Sequence, residues 1–501
     1  MMINPRTPVL VAVGELTNRS DAIVDPIDLA AEAVRLAFAD AVAPVADRID
    51  TVASPGILLM RRDNPAHRIA EAVGLRPGRR ISCPVGGNTP QYLVGQLGAE
   101  IMARTCDVAL IVGAEAGQSA RRTRRTGDLP PTDPIDGVDT ALGDDRPGLS
   151  PAENAAGLHF PHQVYPLFES AMAARAGHTL DEHRVWLGRL MAPFTAEAAR
   201  HPDQAWFPAE RTPSELSDVT PENRLINEPY TKLLNSILTV DMAAAFVLMA
   251  AEVAEELGIP RDRWVFSWAT ATCNDVYFPV QRPDLASSAG IRAAGTAVLE
   301  ASGIGIDDVR WFDFYSCFPA AVEAAIDAFE LDPFDERGFT VTGGLPYHGG
   351  PGNNYVSHSI VEMARRCRAE PDAIGMISGL GWYITKHSLG IWSGTPPPNR
   401  WVDSDMTEQQ AAIDATALDV VDASDGTGTA TIDAYTVMHD REEGPTSVPV
   451  FARTADGRRV VARSDDRAVA RAMSGGMFVG QTIDLKPADD HARFETEFEL
   501  K

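Results

Sequence analysis

The stretch Ile81–Gln91, ISCPVGGNTPQ, sets a cysteine at the end of a strand-like run, then a diglycine loop, then a helix start at Pro90. A cysteine at a helix N-terminus is a nucleophile in waiting, because the dipole favours its thiolate. Here the turn itself holds Gly86, Gly87 and Asn88, and Cys83 lies upstream of it. At ~3.3 Å per extended residue that separation reaches ~10 Å or more. Ile81 and Pro84 around Cys83 read as a strand end, where cysteine packs as a small apolar side chain. Cys83 remains a weak candidate nucleophile. Asn88 and Thr89 are expected to cap the helix that Pro90 begins. The same turn exposes backbone N–H groups suited to a carbonyl or phosphate oxygen, which makes Gly86, Gly87 and Asn88 ligand-binding candidates.

The remaining cysteines are Cys106, Cys273, Cys317 and Cys367. Five cysteines at wide spacing, with no CxxC and no Cys/His cluster, argue against a disulfide framework or a zinc site, and no metal is expected. GGLPYHGGPGNN is glycine-rich but lacks the Gly-Lys-Ser/Thr ending of a phosphate-binding P-loop. The formal charge of −26, from 44 basic and 70 acidic residues, argues against nucleic acid and anionic membranes as partners. Lysine occurs only at 232, 386, 486 and 501. No apolar run approaches the ~20 residues of a membrane span, and the N-terminus lacks the features of a signal peptide, so the cytoplasm is the expected location.

The elements that must position these groups alternate strand and helix over the first ~120 residues, as parallel βαβ units do. Pro8–Glu15, Thr51–Leu59 and Asp107–Gly117 read as strand segments; Asp28–Val42 and Thr89–Ala103 read as helices. From Gln118 to Asn235 a charged, Pro-rich excursion leads into helices at Tyr165–Ala176 and Thr179–Arg200, the pattern of a lid over a site. Strand–helix alternation then resumes through RWVFSWATAT, Ser287–Ser302, RWFDFYSCF and a helix begun by Pro319. AIGMISGLGWYITKHSLGIWS reads as two strands about a turn, and SGTPPPNR as a linker. Beyond it, strands at Thr429–Met438, Ser447–Thr454, Arg458–Ala462 and Met477–Leu485, with a helix near Arg467–Met473, predict a small antiparallel barrel.

Four ordered stretches carry a family resemblance: ISCPVGGNTPQYLVGQLGAEIMARTCDVALIVGAEA, YTKLLNSILTVDMAAAFVLMAAE, WFDFYSCFPAAVEAA and TVTGGLPYHGGPGNNYVSHSIVEMARR. They resemble the nucleophile loop, the Ser-Asp-Gly-Ala-Ala-Ala segment, the His-Asp-Cys-Phe segment and the Gly-His-Pro segment of the thiolase superfamily, sterol-carrier-protein-type branch. The likeness spans roughly residues 6–395, and the barrel-like extension points to the group called thiolase-like protein type 1. Thiolases use an acylated cysteine, a histidine that takes its proton, a second Cys or His acid/base, and oxyanion holes.

On that resemblance the family cysteine aligns with Gly87 and the Gly-His-Pro histidine with Gly350, Pro351 being kept. The His and Asp of His-Asp-Cys-Phe become Tyr315 and Ser316, with Cys317 and Phe318 kept; the second Cys or His falls near Ser378. The candidates left for chemistry are Cys83, Cys317, His348 by a register change, Tyr315 as an oxyanion donor, and Ser378. His387 is expected on a strand beyond the site.

The resemblance implies an α/β thiolase fold: a duplicated five-layer αβαβα core, a helical insertion and a small C-terminal barrel. The expected division is 1–120 with 225–265 as the first half, 121–224 as insertion, 266–395 as the second half, and 400–501 as the added domain. It implies a protein that binds CoA or an acyl-CoA thioester without ordinary acetyltransferase activity and without another cofactor. Two alternatives stay open: an acyltransferase with relocated groups, and a scaffolding subunit that docks a protein partner through residues 400–501. Oligomeric state is open between monomer and dimer.

Overall fold

The structure is a computed structural model that describes residues 3–127, 137–422 and 425–487, with the backbone of 492–495. The first half runs β1 (Pro8–Thr17), α1 (Pro26–Asp40), β2 (Thr51–Pro55), α2 (Pro65–Ala72), β3 (Arg79–Cys83), α3 (Thr89–Met102), β4 (Val108–Ala116) and α4 (Gly117–Thr126). Asp25 starts α1 by accepting from the Ile27 N–H, with Pro26 supplying the preset φ of the first turn. Strands β2, β3 and β4 pair in parallel. A two-residue strand, β5 (Thr140–Ala141), lies parallel along the outer edge of β3.

The excursion carries α5 (Pro151–Ala155), α6 (Pro161–Ala176), α7 (Leu180–Arg200), α8 (Pro213–Ser217) and the short strands β6 (Leu225–Asn227) and β7 (Tyr230–Thr231). Thr179 and Glu182 close a capping box at the start of α7. The chain returns to the sheet as β8 (Asp241–Ala250), which is buried at all ten residues, as its insertion between β1 and β4 requires. Then follow α9 (Ala251–Glu256), β9 (Val265–Asn274), α10 (Ala289–Ser302), β10 (Trp311–Asp313), α11 (Pro319–Ala328), α12 (Tyr355–Ala369), β11 (Ile374–Gly381), β12 (Lys386–Ser393) and β13 (Val402–Ser404).

The strands run β3-β2-β4-β8-β1 in one half and β10-β11-β12-β9 in the other, with β13 beside β9. The halves join through a two-residue pairing of Val9 and Leu10 with Phe266 and Val265. Helices α3 and α12 touch each other and both sets of strands, so they form the buried middle layer. Helix α1 covers β1, β8 and β4, and α10 covers β9 and β12. This is the layered two-half α/β core.

After α13 (Thr407–Asp414) come β14 (Gly428–Tyr435), β15 (Met438–Asp440), β16 (Gly444–Thr454), β17 (Arg459–Ser464), α14 (Arg467–Met473), β18 (Thr482–Lys486) and β19 (Ala492–Glu495). The pairings β14–β18–β19–β17–β16–β14 return on themselves around a separate apolar cluster. They are antiparallel except β17–β19, which is parallel. Ala173 and Leu180 of the insertion belong to this second core, and β15 bonds to β6, so the added domain is built onto the insertion. Among the described residues no helix is long and apolar enough to cross a membrane.

Several local expectations change, among them the strand expected over Met477–Leu485, which is regular only over Thr482–Lys486. Asn88 adopts helical backbone angles and makes no capping bond; its Nδ2 donates to Ser388 Oγ at 3.1 Å. The Thr89 hydroxyl instead donates to the Gly86 carbonyl at 2.6 Å and tightens the loop. The expected strand RWFDFYSCF is regular only over Trp311–Asp313, because beyond it the Tyr315 N–H leaves the ladder and donates to Ser378 Oγ at 3.0 Å.

Candidate functional site

The loop after β3, the segment after β10 and the turn between β11 and β12 converge beneath the insertion on a cavity of about 680 Å³. Its core-side wall includes Gly86, Gly87, Tyr315, Cys317, Phe318 and Leu380. The insertion supplies His159, His162, Tyr165, Arg224 and Ile226. Tyr165 stacks on Phe318 with ring centroids 4.5 Å apart, and its hydroxyl donates to the Trp382 carbonyl at 2.9 Å.

Gly87 is closed on its side-chain face. A Cβ there would collide with the Tyr315 hydroxyl and sit 2.5 Å from the Leu380 carbonyl oxygen. The Tyr315 ring stands edge-on against Tyr355, 5.6 Å between centroids, and burial holds its hydroxyl well above its ordinary pKa. Gly350 shows the same pattern: its Cβ would collide with Ser236 Oγ, while its N–H donates to the Ile237 carbonyl at 2.9 Å. At both glycines where the resemblance places a catalytic side chain, Gly87 and Gly350, a neighbour's hydroxyl occupies that space.

The structure brings Gly86, Gly87, Tyr315 and Cys317 to the cavity wall and leaves the other candidates elsewhere. Cys83 and Asn88 line a separate cleft of about 280 Å³ with Lys386 and Thr272. Burial pushes the Cys83 thiol up to about 12 and the Cys317 thiol to about 12, so both are neutral near pH 7. Ser316 is fully buried, its Oγ accepting from the Leu345 N–H at 3.3 Å. Ser378 spends its oxygen on the Tyr315 N–H. His348 is 2% exposed, stands edge-on to Tyr355 and His358, and does not line the cavity. Burial pushes it down to about 3. His387 lies on β12 and pairs with Asp275 at 2.8 Å, beyond the cavity.

The Gly86 N–H is taken by Asn353 Oδ1 at 2.9 Å, and Asn353 Nδ2 in turn donates to the Gly56 carbonyl at 2.7 Å. Residues of the wall also carry polar atoms that are closed to solvent and unpartnered: Asn235 Oδ1, Ser236 Oγ and Trp382 Nε1 make no hydrogen bond to a described residue. Lys232 and His159 are exposed at the rim, and Arg224 lies between rim and interior. Glu115 sits behind Gly352, fully buried, and accepts from the Leu58 and Leu59 N–H groups at 2.6 and 3.1 Å. Burial lifts it to about 7 against those two bonds.

Sequence reasoning did not single out Arg224, Lys232, Asn235 or Ser236. The rarity of lysine was a signal for Lys232. Arg224 is one basic residue among many in a segment whose contact with the cavity exists only after folding.

The comparisons agree with this architecture. The dimeric peroxisomal thiolase of Saccharomyces cerevisiae superposes over 78% of this chain and 98% of its own, with TM-score 0.57 and 15% identity. An acetyl-CoA acetyltransferase from Syntrophomonas wolfei does so over 77% and 99%, with TM-score 0.56 and 17% identity. These likenesses define the fold as that of the thiolases. A monomeric SCP2-thiolase-like protein type 1 from Mycobacterium smegmatis is 32% identical, matches 99% of this chain and 100% of its own, and has TM-score 0.86. Residues 408–490 match the model of the thiolase-like protein type 1 additional C-terminal domain. The chain belongs to the SCP2-thiolase-like protein type 1 family and carries its additional C-terminal domain. No protein of curated function matches it.

Proposed function

We propose that this protein binds CoA or an acyl-CoA thioester in the cavity under the insertion and performs neither thiolysis nor Claisen condensation there. The observation that carries the reading is the filled nucleophile position: Gly87 offers no side chain, and the Tyr315 hydroxyl occupies the space one would need. Thiolysis and Claisen condensation through an acyl-enzyme need a side-chain nucleophile to carry the acyl group. The one cysteine on the wall, Cys317, is held as a thiol by burial. The cavity suits a thioester in other respects. Its interior is apolar and aromatic, Lys232 and Arg224 offer cationic partners for phosphate, and Asn235 and Ser236 have hydrogen-bonding capacity unused.

Calorimetric titration with CoA, acetyl-CoA and a long-chain acyl-CoA, with intact mass measured on the same samples, tests this. Saturable binding at unchanged mass is expected. A mass gain equal to an acyl group, or cleavage of acetoacetyl-CoA by free CoA at an ordinary enzymatic rate, overturns the absence of chemistry. No binding of any of the three overturns the ligand assignment and favours the scaffolding reading.

A further inference from the structure

Three helices bring together a second set of reactive side chains, distinct from those lining the cavity: Glu169 on α6, His183 on α7 and Glu323 on α11. His183 Nε2 lies 2.6 Å from Glu169 Oε1 and 3.4 Å from Glu323 Oε1. The Glu169 and His183 side chains are 0% and 1% exposed. Among the described residues no arginine or lysine pairs with either carboxylate, so a single imidazole faces two carboxylates, one fully buried and one nearly so. Glu323 Oε1 is shut off from solvent and accepts no hydrogen bond. Two carboxylates this close cannot both stay charged in a low-dielectric interior, so either a shared proton or a cation neutralises one of them. The other buried Glu/His group, Glu15 with His348 and His358, differs on this point because Arg365 binds Glu15 directly.

The outer sides of the first two side chains are already held. His183 Nδ1 is 3.2 Å from His178 Nδ1, its ring stacks on Trp186 at 5.3 Å, and the Tyr230 hydroxyl donates to Glu169 Oε2. Those contacts orient His183 Nε2 and Glu169 Oε1 toward Glu323, with one donor atom of each residue within 4.8 Å of the others. Ligands fixed from behind by hydrogen bonds in this way are the mark of a built metal site.

We propose that Glu169, His183 and Glu323 bind one divalent transition-metal ion, Zn²⁺ by the chemistry of the set, and that the ion clips the insertion to α11 of the core. One imidazole and two carboxylates suit Zn²⁺, whereas Ca²⁺ asks for six or more oxygens. Bonds of ~2.0–2.1 Å in a tetrahedron place the donors ~3.3 Å apart. The contact of His183 with Glu323 already has that spacing, and the contact with Glu169 opens on binding. The Glu323 side chain keeps 12% of its surface exposed although its Oε1 is closed off, so rotation of that carboxylate opens the path for the ion and for a water in the fourth position. Binding displaces whatever protons the three ligands hold.

Metal analysis of full-length protein purified without chelator, followed by Co²⁺ titration of the chelator-stripped protein, tests the site. The expected result is close to one equivalent of bound metal, saturable Co²⁺ absorption at one equivalent that Zn²⁺ abolishes, and a higher Tm with Zn²⁺ than without. Glu323→Gln, which keeps the shape and removes the charge, is expected to lose the Co²⁺ signal and the Zn²⁺ shift in Tm. Wild-type protein that arrives metal-free, takes up neither ion and melts at the same temperature with and without Zn²⁺ overturns the proposal, and a proton then neutralises the second carboxylate. Stoichiometric Co²⁺ binding retained by Glu323→Gln overturns it as well, by placing the metal elsewhere.

Discussion

Gly87→Ala probes the packing that leaves no room for a side chain where the resemblance places a nucleophile. The added methyl would sit 2.6 Å from Tyr315 Cζ and 2.5 Å from the Leu380 carbonyl oxygen, where ordinary contact begins near 3.4 Å. Overpacking of this kind costs ~1–3 kcal/mol, and the upper end applies because one obstacle is the backbone of β11. Tyr315→Ala alone removes a buried ring, at ~3 kcal/mol, the low end for such truncations because the ring already borders open space. In the double variant the methyl no longer meets the ring, so the two losses should sum to ~1–2 kcal/mol less than additivity. Chemical denaturation followed by tryptophan fluorescence reads this cycle. Seven of the eight tryptophans precede residue 400 and Trp401 packs on Gly98 of α3, so the signal reports the core and the insertion rather than the barrel strands. Additivity within ~0.5 kcal/mol, or a Gly87→Ala protein as stable as wild type, would refute the claim that Tyr315 fills the side-chain space of Gly87.

Two further outcomes follow from the same geometry. Arg224→Ala and Lys232→Ala should each weaken CoA binding about tenfold in calorimetry, the ~1.4 kcal/mol of one charge-assisted hydrogen bond, with the loss shrinking at high salt; unchanged affinity would remove them from the site. Glu115 has a folded pKa of about 7 against 4.5, so its contribution to stability is complete below pH 4.5 and is lost as pH rises through 7, by about 3 kcal/mol in all. Glu115→Gln should therefore flatten the decline of Tm between pH 5 and pH 7.5 relative to wild type, and parallel profiles would contradict the assignment.

Much of the scaffold was readable in the sequence because its signals are local. The helix expected near Arg467–Met473 is present over those residues, and the expected helix at Thr179–Arg200 is α7 (Leu180–Arg200), closed by Thr179 as its cap. Pro319 opens α11, as its fixed φ allows. What was not readable depends on partners distant in sequence. Asn88 has every property of a helix cap, yet a serine 300 positions away takes its side chain. The segment after Asp313 has strand composition, but the Ser378 hydroxyl replaces the ladder bond that would have extended it. Glu169, His183 and Glu323 follow no ligand spacing, since each comes from a different helix and only packing of the insertion on the core unites them.

The glycines at 87 and 350 draw these levels together. A large-to-small change inside a packed core normally leaves a void that destabilises in proportion to its volume. Neither glycine borders such a void on its side-chain face: Tyr315 closes one position and Ser236 the other. The two fillers come from different segments, one after β10 and one before β8, so no single local change produces the arrangement. Both fillers belong to residues that line the cavity, and Ser236 Oγ, closed to solvent, has no partner among the described residues. A merely decayed site would be expected to close with apolar side chains, since an unpaired buried hydroxyl costs ~1–3 kcal/mol. A hydroxyl left unpaired on a cavity-lining residue gains its missing bond when ligand binding turns that residue toward the cavity. Ser236→Ala therefore separates the two accounts: it leaves stability unchanged or improved in both, and weakens CoA binding only if the cavity is in use.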